Sequence, residues 1–223
     1  MDNKPYRIGI DLGGTNIKVG VVDEQDRILG KKSGKTGAER PWQQVVADMA
    51  DITFDLLREL NIDVAQCEKM GVGSPGMIDH IHGVVVFAGN FSWSDVPLVA
   101  ELRRYFDMPI RLSNDANCAA LGETRAGTGK GSRHVVLITL GTGVGGGVVA
   151  DGILQEGGSA GGMELGHTLL VMDGEECTCG RKGCLEAYAS ANSLARFARR
   201  AAEKDPGSIM NEMCHGDLAN MNG

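Results

Sequence analysis

The sequence predicts an α/β fold in two domains, and two observations carry the prediction. A strand–glycine turn–strand unit occurs twice, once at Asp11-Leu12-Gly13-Gly14-Thr15 and once at Gly141-Thr142-Gly143-Val144-Gly145-Gly146. A unit repeated at that distance points to a duplicated architecture. Segments with helical periodicity lie between the strand-like ones, which makes the class α/β. A length of 223 residues is enough for one large domain or two small ones. We place them at residues 1–115 and 116–223, with the glycine-rich stretch 127–132 as a loop close to the boundary.

The elements follow in order. Residues 7–12 and 17–22 read as strands joined by the tight turn Gly13-Gly14-Thr15, hence a hairpin. Residues 27–33 read as a third strand. Pro41 opens a helix, because Trp42, Val45, Val46, Met49, Ile52, Phe54, Leu56, Leu57 and Leu60 fall broadly at helical spacing. Residues 70–73 form a short strand ending in Ser74-Pro75-Gly76, and 81–87 an extended segment leading to Asn90. A short helix over 98–106, a strand over 109–112 and a helix over 116–126 come next. Residues 135–140 and 148–150 read as strands around the glycine turn 141–147. A long helix spans 185–204, and the tail from 206 is polar and weakly periodic.

Composition excludes some functions. The net charge is −7 and the Lys and Arg residues are dispersed, so no nucleic-acid partner is expected. The basic stretch 196–200 reads as a solvated helix face. The longest apolar run, 135–150, is broken by glycines and threonines and is not a membrane span. No charged region followed by an apolar one precedes the first strand, so a cytoplasmic location is expected. Two stretches, 71–76 and 141–146, fit the dinucleotide pattern G-x-G-x-x-G, but neither is followed by the helix that would hold a pyrophosphate. Residues 127–132 look like a P-loop and fail its spacing.

Three sets of residues point to chemistry. His167, Cys177, Cys179 and Cys184 fall within eighteen residues and make a complete tetrahedral zinc set. Ordinary cysteines or a disulfide are the other readings, and an odd set of three cysteines disfavours the disulfide. Glu164 and Glu186 flank the ligands. In the glycine turns, successive backbone N–H groups can form a concave anion site without a helix. Asp11 beside the first turn suits Mg²⁺ next to phosphates, or simply caps the turn. Two such turns suggest a bound nucleotide. Asn114-Asp115 stands where a strand enters a helix, the end at which α/β proteins place their chemistry. Asp115 there is either a base that takes a proton from an attacking hydroxyl or the helix N-cap. Asn114 and Asn90 are amides suited to hydroxyl-bearing ligands, although Asn90 taken alone reads rather as a turn residue.

Taken in order, the Asp11–Thr15 turn, Asn114-Asp115, the 141–146 turn, Glu164-Leu165-Gly166-His167 and the Cys-x-Cys-Gly-x-x-Gly-Cys-x-Glu run resemble the ROK family of sugar kinases, most closely its bacterial glucokinases. The resemblance covers residues 6 to 204. It implies a ribonuclease-H-like, actin-like ATPase fold of two domains and transfer of the γ-phosphoryl of ATP to a hexose 6-hydroxyl. It implies Asp115 as the general base, and Asn90, Asn114, Asp115, Glu164, His167 and Glu186 as sugar contacts. Asp11, Gly13, Gly14, Thr15, Thr142 and Gly143 would face the phosphates and Mg²⁺. Structural Zn²⁺ on His167, Cys177, Cys179 and Cys184 and a homodimer are also implied. Glucose is the favoured sugar; N-acetylglucosamine, N-acetylmannosamine, fructose or a non-catalytic sugar-binding role stand as alternatives. Family members continue for about a hundred residues more, so the second domain is expected to be partial. The family's repressors carry a DNA-binding segment ahead of the first strand, and with about five residues there that role is not expected.

Overall fold

A computed structural model describes residues 5–157 and 163–221, with the side chain of Asn90 outside that description. In chain order the elements are β1 (Tyr6–Leu12), β2 (Asn16–Val22), β3 (Ile28–Lys35), α1 (Trp42–Glu59), β4 (Cys67–Ser74), β5 (Met77–Asp79), β6 (Val84–Ala88), β7 (Trp93–Val96), α2 (Leu98–Leu102), β8 (Ile110–Asn114), α3 (Asp115–Ala126), β9 (Val135–Leu140), β10 (Val144–Ala150), β11 (Ile153–Leu154), α4 (Glu186–Ala189), α5 (Ala191–Lys204) and α6 (Ile209–Met213). The chain divides into two compact units. Residues 1–135 and 148–162 make the first, and residues 136–147 and 163–223 the second.

The first unit is built on a five-stranded sheet of order β3-β2-β1-β4-β8. Strands β1, β4 and β8 run parallel, and β2 and β3 complete an antiparallel meander. Alternation explains its burial. Ile8, Ile10 and Leu12 of β1 and Ile17, Val19 and Val21 of β2 point to one face and are buried, while Gly9, Asp11 and Lys18 point to the other and are exposed. Helix α1 covers the apolar face with Val45, Val46, Met49, Leu56 and Leu57, spaced to form one helical stripe. Phe54 of α1 stacks on Phe106 at a centroid distance of 4.9 Å. Leu12 has no exposed surface, so Leu12→Ala should cost about 2–5 kcal/mol; urea unfolding followed by tryptophan fluorescence checks this, since Trp42 and Trp93 both belong to this unit. A small antiparallel sheet of order β5-β6-β7 belongs to the same unit.

The second unit is more thinly packed. Among its described residues, one buried apolar cluster holds Cys177, Cys184 and Ala187 with Tyr188 against them, and another holds Ala202, Cys214 and Met221. Strand β9 alternates, leaving Val136, Ile138 and Leu140 exposed.

Several sequence expectations need correction. Helix α3 turns back from the end of β8 and packs on β4 and β8, and the first compact unit continues through it to residue 135. The extended segment expected over 81–87 is β6 alone; Asp79, capping the backbone N–H groups of Ile81 and His82, turns the chain before it. The turn expected over 141–147 ends at Gly143, and its later glycines are strand. Gly146 is required there by a close approach: a Cβ would stand 2.6 Å from Leu165 Cδ1 and 2.8 Å from the Leu137 carbonyl oxygen. The single helix expected over 185–204 is two, α4 and α5. Ser190 between them is extended (φ −79°, ψ 159°), and its hydroxyl accepts from the Ser193 N–H as the N-cap of α5. The helix expected over 98–106 is helical only to Leu102 and continues as turns.

Candidate functional site

In the first unit the parallel strands bring three sequence motifs to one sheet end. Asp11 lies level with Gly73 on β4, and Gly73 with Ser113 on β8. The turn after β1, the Ser74-Pro75-Gly76 corner and Asn114-Asp115 therefore gather at the carboxyl ends of β1, β4 and β8, where α/β sheets bind ligands. The cap question is answered by geometry. The Asn114 side-chain oxygen accepts from the N–H groups of Ala116 (2.9 Å) and Asn117 (3.4 Å), so Asn114 is the N-cap and Asp115 the first helical residue. The Asn114 amide also donates to the Gly76 carbonyl at 3.3 Å.

The Asp115 side chain reaches the surface, and Oδ1 accepts from the Ala116 N–H at 2.8 Å. Loss of solvent around its carboxyl raises its pKa above the ordinary aspartate value, and the negative charge of Asp11 adds to the rise. The sign of the consequence follows from linkage. An acid whose pKa is raised by folding binds its proton more tightly in the folded chain, so its favourable contribution is present at low pH. That contribution is lost as pH climbs from the ordinary aspartate value through the raised one. Thermal melts of wild type and Asp115→Asn should therefore diverge across that window, with the wild type losing ground as pH rises, and run parallel above it.

Residues that the sequence did not single out hold this end in place. Lys18, directly across the hairpin from Asp11, reaches its Oδ2 at 3.2 Å. Gly13 closes its own turn, donating its N–H to the Asn16 carbonyl at 3.0 Å rather than offering it outward. The buried Thr36 donates its hydroxyl to the Gly13 carbonyl (2.6 Å) and its N–H to the Thr15 carbonyl (3.0 Å). Next to Asn114, the Ser113 hydroxyl donates to Glu156 Oε1 at 2.5 Å, and Glu156 Oε2 lies 3.8 Å from His80 Nε2. Counting hairpin register could have found Lys18; nothing in the sequence marks Thr36 or Glu156. Asn90 sits in a 3₁₀ turn, and its side chain lies outside the described residues.

The second unit assembles the cysteine run. His167, on a 3₁₀ turn after Glu164, and Cys177, Cys179 and Cys184 place their ligand atoms within 4.8 Å of one another. Cys177 Sγ is 3.6 Å from His167 Nδ1, and Cys179 Sγ is 3.7 Å from Cys184 Sγ. Gly183 makes the loop possible: its φ is +78°, and a Cβ would collide with the Val171 carbonyl at 1.7 Å. The N–H groups of Leu170 and Val171 donate to the Gly183 carbonyl, and the Arg181 guanidinium donates to the His167 carbonyl at 3.0 Å. The Arg181 backbone N–H draws the Cys179 thiol down to about 6, whereas burial pushes Cys177 up to about 11. Three soft sulfurs and one imidazole at this spacing fit a tetrahedral zinc ion.

The turn after β9 is in the same unit. The Gly141 N–H donates to the Gly143 carbonyl at 3.0 Å, with Thr142 between them. Glu186, at the start of α4, accepts the Val144 N–H on Oε2 at 3.0 Å and the Thr178 hydroxyl on Oε1 at 3.0 Å. Among the described residues no helix is long and apolar enough to cross a membrane.

The chain is similar to known proteins over most of its length. The model of the ROK family matches residues 7–221. The glucokinase of Thermotoga maritima is 42% identical over 204 residues, covering 91% of this chain and 63% of that protein. The glucokinase of Streptomyces coelicolor is 38% identical, covering 89% of this chain and 61% of its own length. This chain thus spans less than two thirds of the length of these relatives. Among solved structures, a ROK glucokinase from Streptomyces griseus in complex with glucose and AMPPNP superposes with a TM-score of 0.77 at 35% identity, covering 97% of this chain and 68% of that one. A ROK hexokinase from Thermus thermophilus gives a TM-score of 0.79 at 36% identity, covering 89% and 64%. These neighbours have the actin-like ATPase fold expected from the sequence. By motif, fold and family match together, the chain belongs to the ROK family.

Proposed function

We propose that this chain carries the sugar- and phosphate-handling residues of an ATP-dependent hexose kinase, with glucose as the favoured substrate and the 6-hydroxyl as the acceptor. The observation that carries the reading is Asp115, a carboxylate of raised pKa that leaves the helix cap to Asn114 and stands at the carboxyl end of β8. The carboxylate accepts one helix N–H, that of Ala116, and as a base it accepts the proton of a sugar hydroxyl as that oxygen attacks the γ-phosphorus. The likeness to glucokinases, one of them solved with glucose and AMPPNP, supports the choice of substrate and of nucleotide.

Individual roles follow from the chemistry of each group. The Asn114 amide nitrogen carries two hydrogens, of which one goes to Gly76, so the second can meet a sugar hydroxyl. Asn90 is assigned to a hydroxyl on sequence alone. In the second unit, Glu164, His167 and Glu186 are assigned to sugar hydroxyls, His167 through the ring nitrogen that does not face Cys177. Asp11 offers Mg²⁺ a hard oxygen ligand once Lys18 is displaced from it, and Mg²⁺, when bound, neutralises charge on the phosphates. Gly14 and Thr15, together with Thr142 and Gly143, supply backbone to the phosphates, with Gly13 shaping the first turn. Zn²⁺ on His167, Cys177, Cys179 and Cys184 is structural: four protein ligands leave no open position for water. A coupled ADP-release assay over glucose, fructose, N-acetylglucosamine and N-acetylmannosamine tests the reading. Turnover with glucose at the highest kcat/KM is expected, and no turnover with any of these sugars would overturn it.

A further inference from the structure

The turn between β9 and β10 is gripped by the elbow between α4 and α5. The N–H of Ala191, first residue of α5, donates to the Gly141 carbonyl at 2.9 Å. The N–H of Val144 donates to Glu186, first residue of α4, at 3.0 Å. An unbroken helix over this stretch would direct the Ala191 N–H into its own helical ladder, so the grip depends on the extended Ser190. The Ser193 hydroxyl, donating to the Glu186 carbonyl at 2.8 Å, keeps the elbow bent. Gly143 leaves room for the carboxylate, since a Cβ there would stand 2.5 Å from Glu186 Oε2.

The other carboxylate oxygen points elsewhere. Glu186 Oε1 accepts from the Thr178 hydroxyl at 3.0 Å and lies 3.7 Å from Cys177 Sγ. Thr178 stands between two of the cysteines of the Cys/His loop. One side chain therefore has one oxygen on the glycine turn and the other on that loop.

We propose that Glu186 is a positioning residue through which the Cys/His loop sets the order of the 141–144 turn, so that zinc occupancy tunes affinity for a nucleoside triphosphate. This rests on the reading above, in which the loop holds zinc and the turn meets phosphates. A loop fixed at four ligands holds Thr178 still, and Thr178 fixes the rotation of the carboxylate that carries the Val144 N–H. When the loop loosens, Oε1 loses its partner and the carboxylate turns away from Val144. A turn that is no longer held must be ordered by the ligand itself, and affinity falls by that cost.

The test uses the full chain labelled with ¹⁵N-valine, with and without one equivalent of Zn²⁺, in wild type, Thr178→Val and Glu186→Gln. Hydrogen exchange at the Val144 amide is read alongside zinc content and calorimetric binding of a non-hydrolysable ATP analogue with Mg²⁺. In wild type, removing zinc should speed Val144 exchange roughly tenfold or more, the change expected for loss of a charge-assisted hydrogen bond, and weaken the analogue in parallel. Zinc-loaded Thr178→Val should shift the same way without losing metal, and in Glu186→Gln the exchange should no longer respond to zinc. Wild type that binds one zinc but keeps the same Val144 exchange without it overturns the inference alone. A chain that takes up no zinc overturns it together with the metal reading. If chelation unfolds the chain, zinc-loaded Thr178→Val decides, and unchanged Val144 exchange there overturns the inference. Zinc-dependent exchange without any analogue binding overturns the link to nucleotide and, with it, the phosphate role of the turn.

Discussion

Asp115→Asn is expected to lower kcat by about 10²–10⁴-fold while sugar binding stays within a few-fold of wild type. The substitution keeps the size of the side chain and an oxygen able to accept the Ala116 N–H, and it leaves the Asn114 cap untouched. What it removes is the capacity to take a proton. A change confined to kcat is the signature of a group that acts only as the acceptor oxygen attacks. Steady-state ADP release and calorimetry with glucose separate the two quantities. Retained turnover would take Asp115 out of the base role; a matching loss of sugar affinity would mean that it holds the substrate instead. The raised pKa adds a second reading from the same experiment. The acid limb of the wild-type rate profile should lie above the ordinary aspartate value, because only the ionised carboxylate can accept the proton.

Loss of the Cys/His centre is expected to have the larger structural effect. Cys184→Ser should abolish stoichiometric zinc and strip protection from residues 163–221 in amide exchange, a loss of several kcal/mol or more for that unit. Structural zinc sites contribute apparent binding free energies of about 10–16 kcal/mol in small domains. The reason is the thin packing of the second unit, whose described apolar clusters are small and one of which consists largely of the ligand cysteines themselves. Cys184 is 1% exposed, and its backbone bridges to Leu169, so the metal and the loop would fail together. Elemental analysis with exchange mass spectrometry checks this, and a metal-free chain that stays fully protected over 163–221 would count against the site.

Much of the first unit was legible because its patterns are periodic. The β1–β2 hairpin shows strict alternation, α1 shows a clean helical stripe, and the Asn114-Asp115 pair falls at a strand end where chemistry is expected. The cysteine run was equally legible, since ligand spacing is written in one short segment. Less visible were features decided by tertiary contact. Strands β5 and β7 are three and four residues long and contain Asp79, Ser94 and Asp95, so no alternation announces them. The glycines of β10 look like a turn until Leu165 is seen to need the space beside Gly146. The break at Ser190 hides in an alanine-rich run; Ser190 with Ser193 three places on was its local sign. Lys18, Thr36, Glu156 and Thr178 escaped notice because each acts on a partner distant in sequence or on backbone, and no motif records such a pairing.

The interleaved order of the two units has a practical meaning. The polypeptide passes from one to the other at 135/136, 147/148 and 162/163. Neither unit is therefore a continuous stretch that could be cut out and expressed on its own. A fragment ending at residue 135 would keep the large sheet and lose Glu156, leaving the Ser113 hydroxyl beside Asn114 without its acceptor. A fragment beginning at residue 163 would lose the strand and glycine turn on which the Glu186 carboxylate rests. Dissecting this protein calls for rejoined segments, with a short linker replacing 136–147 in one piece and 148–162 in the other, rather than for a single cut.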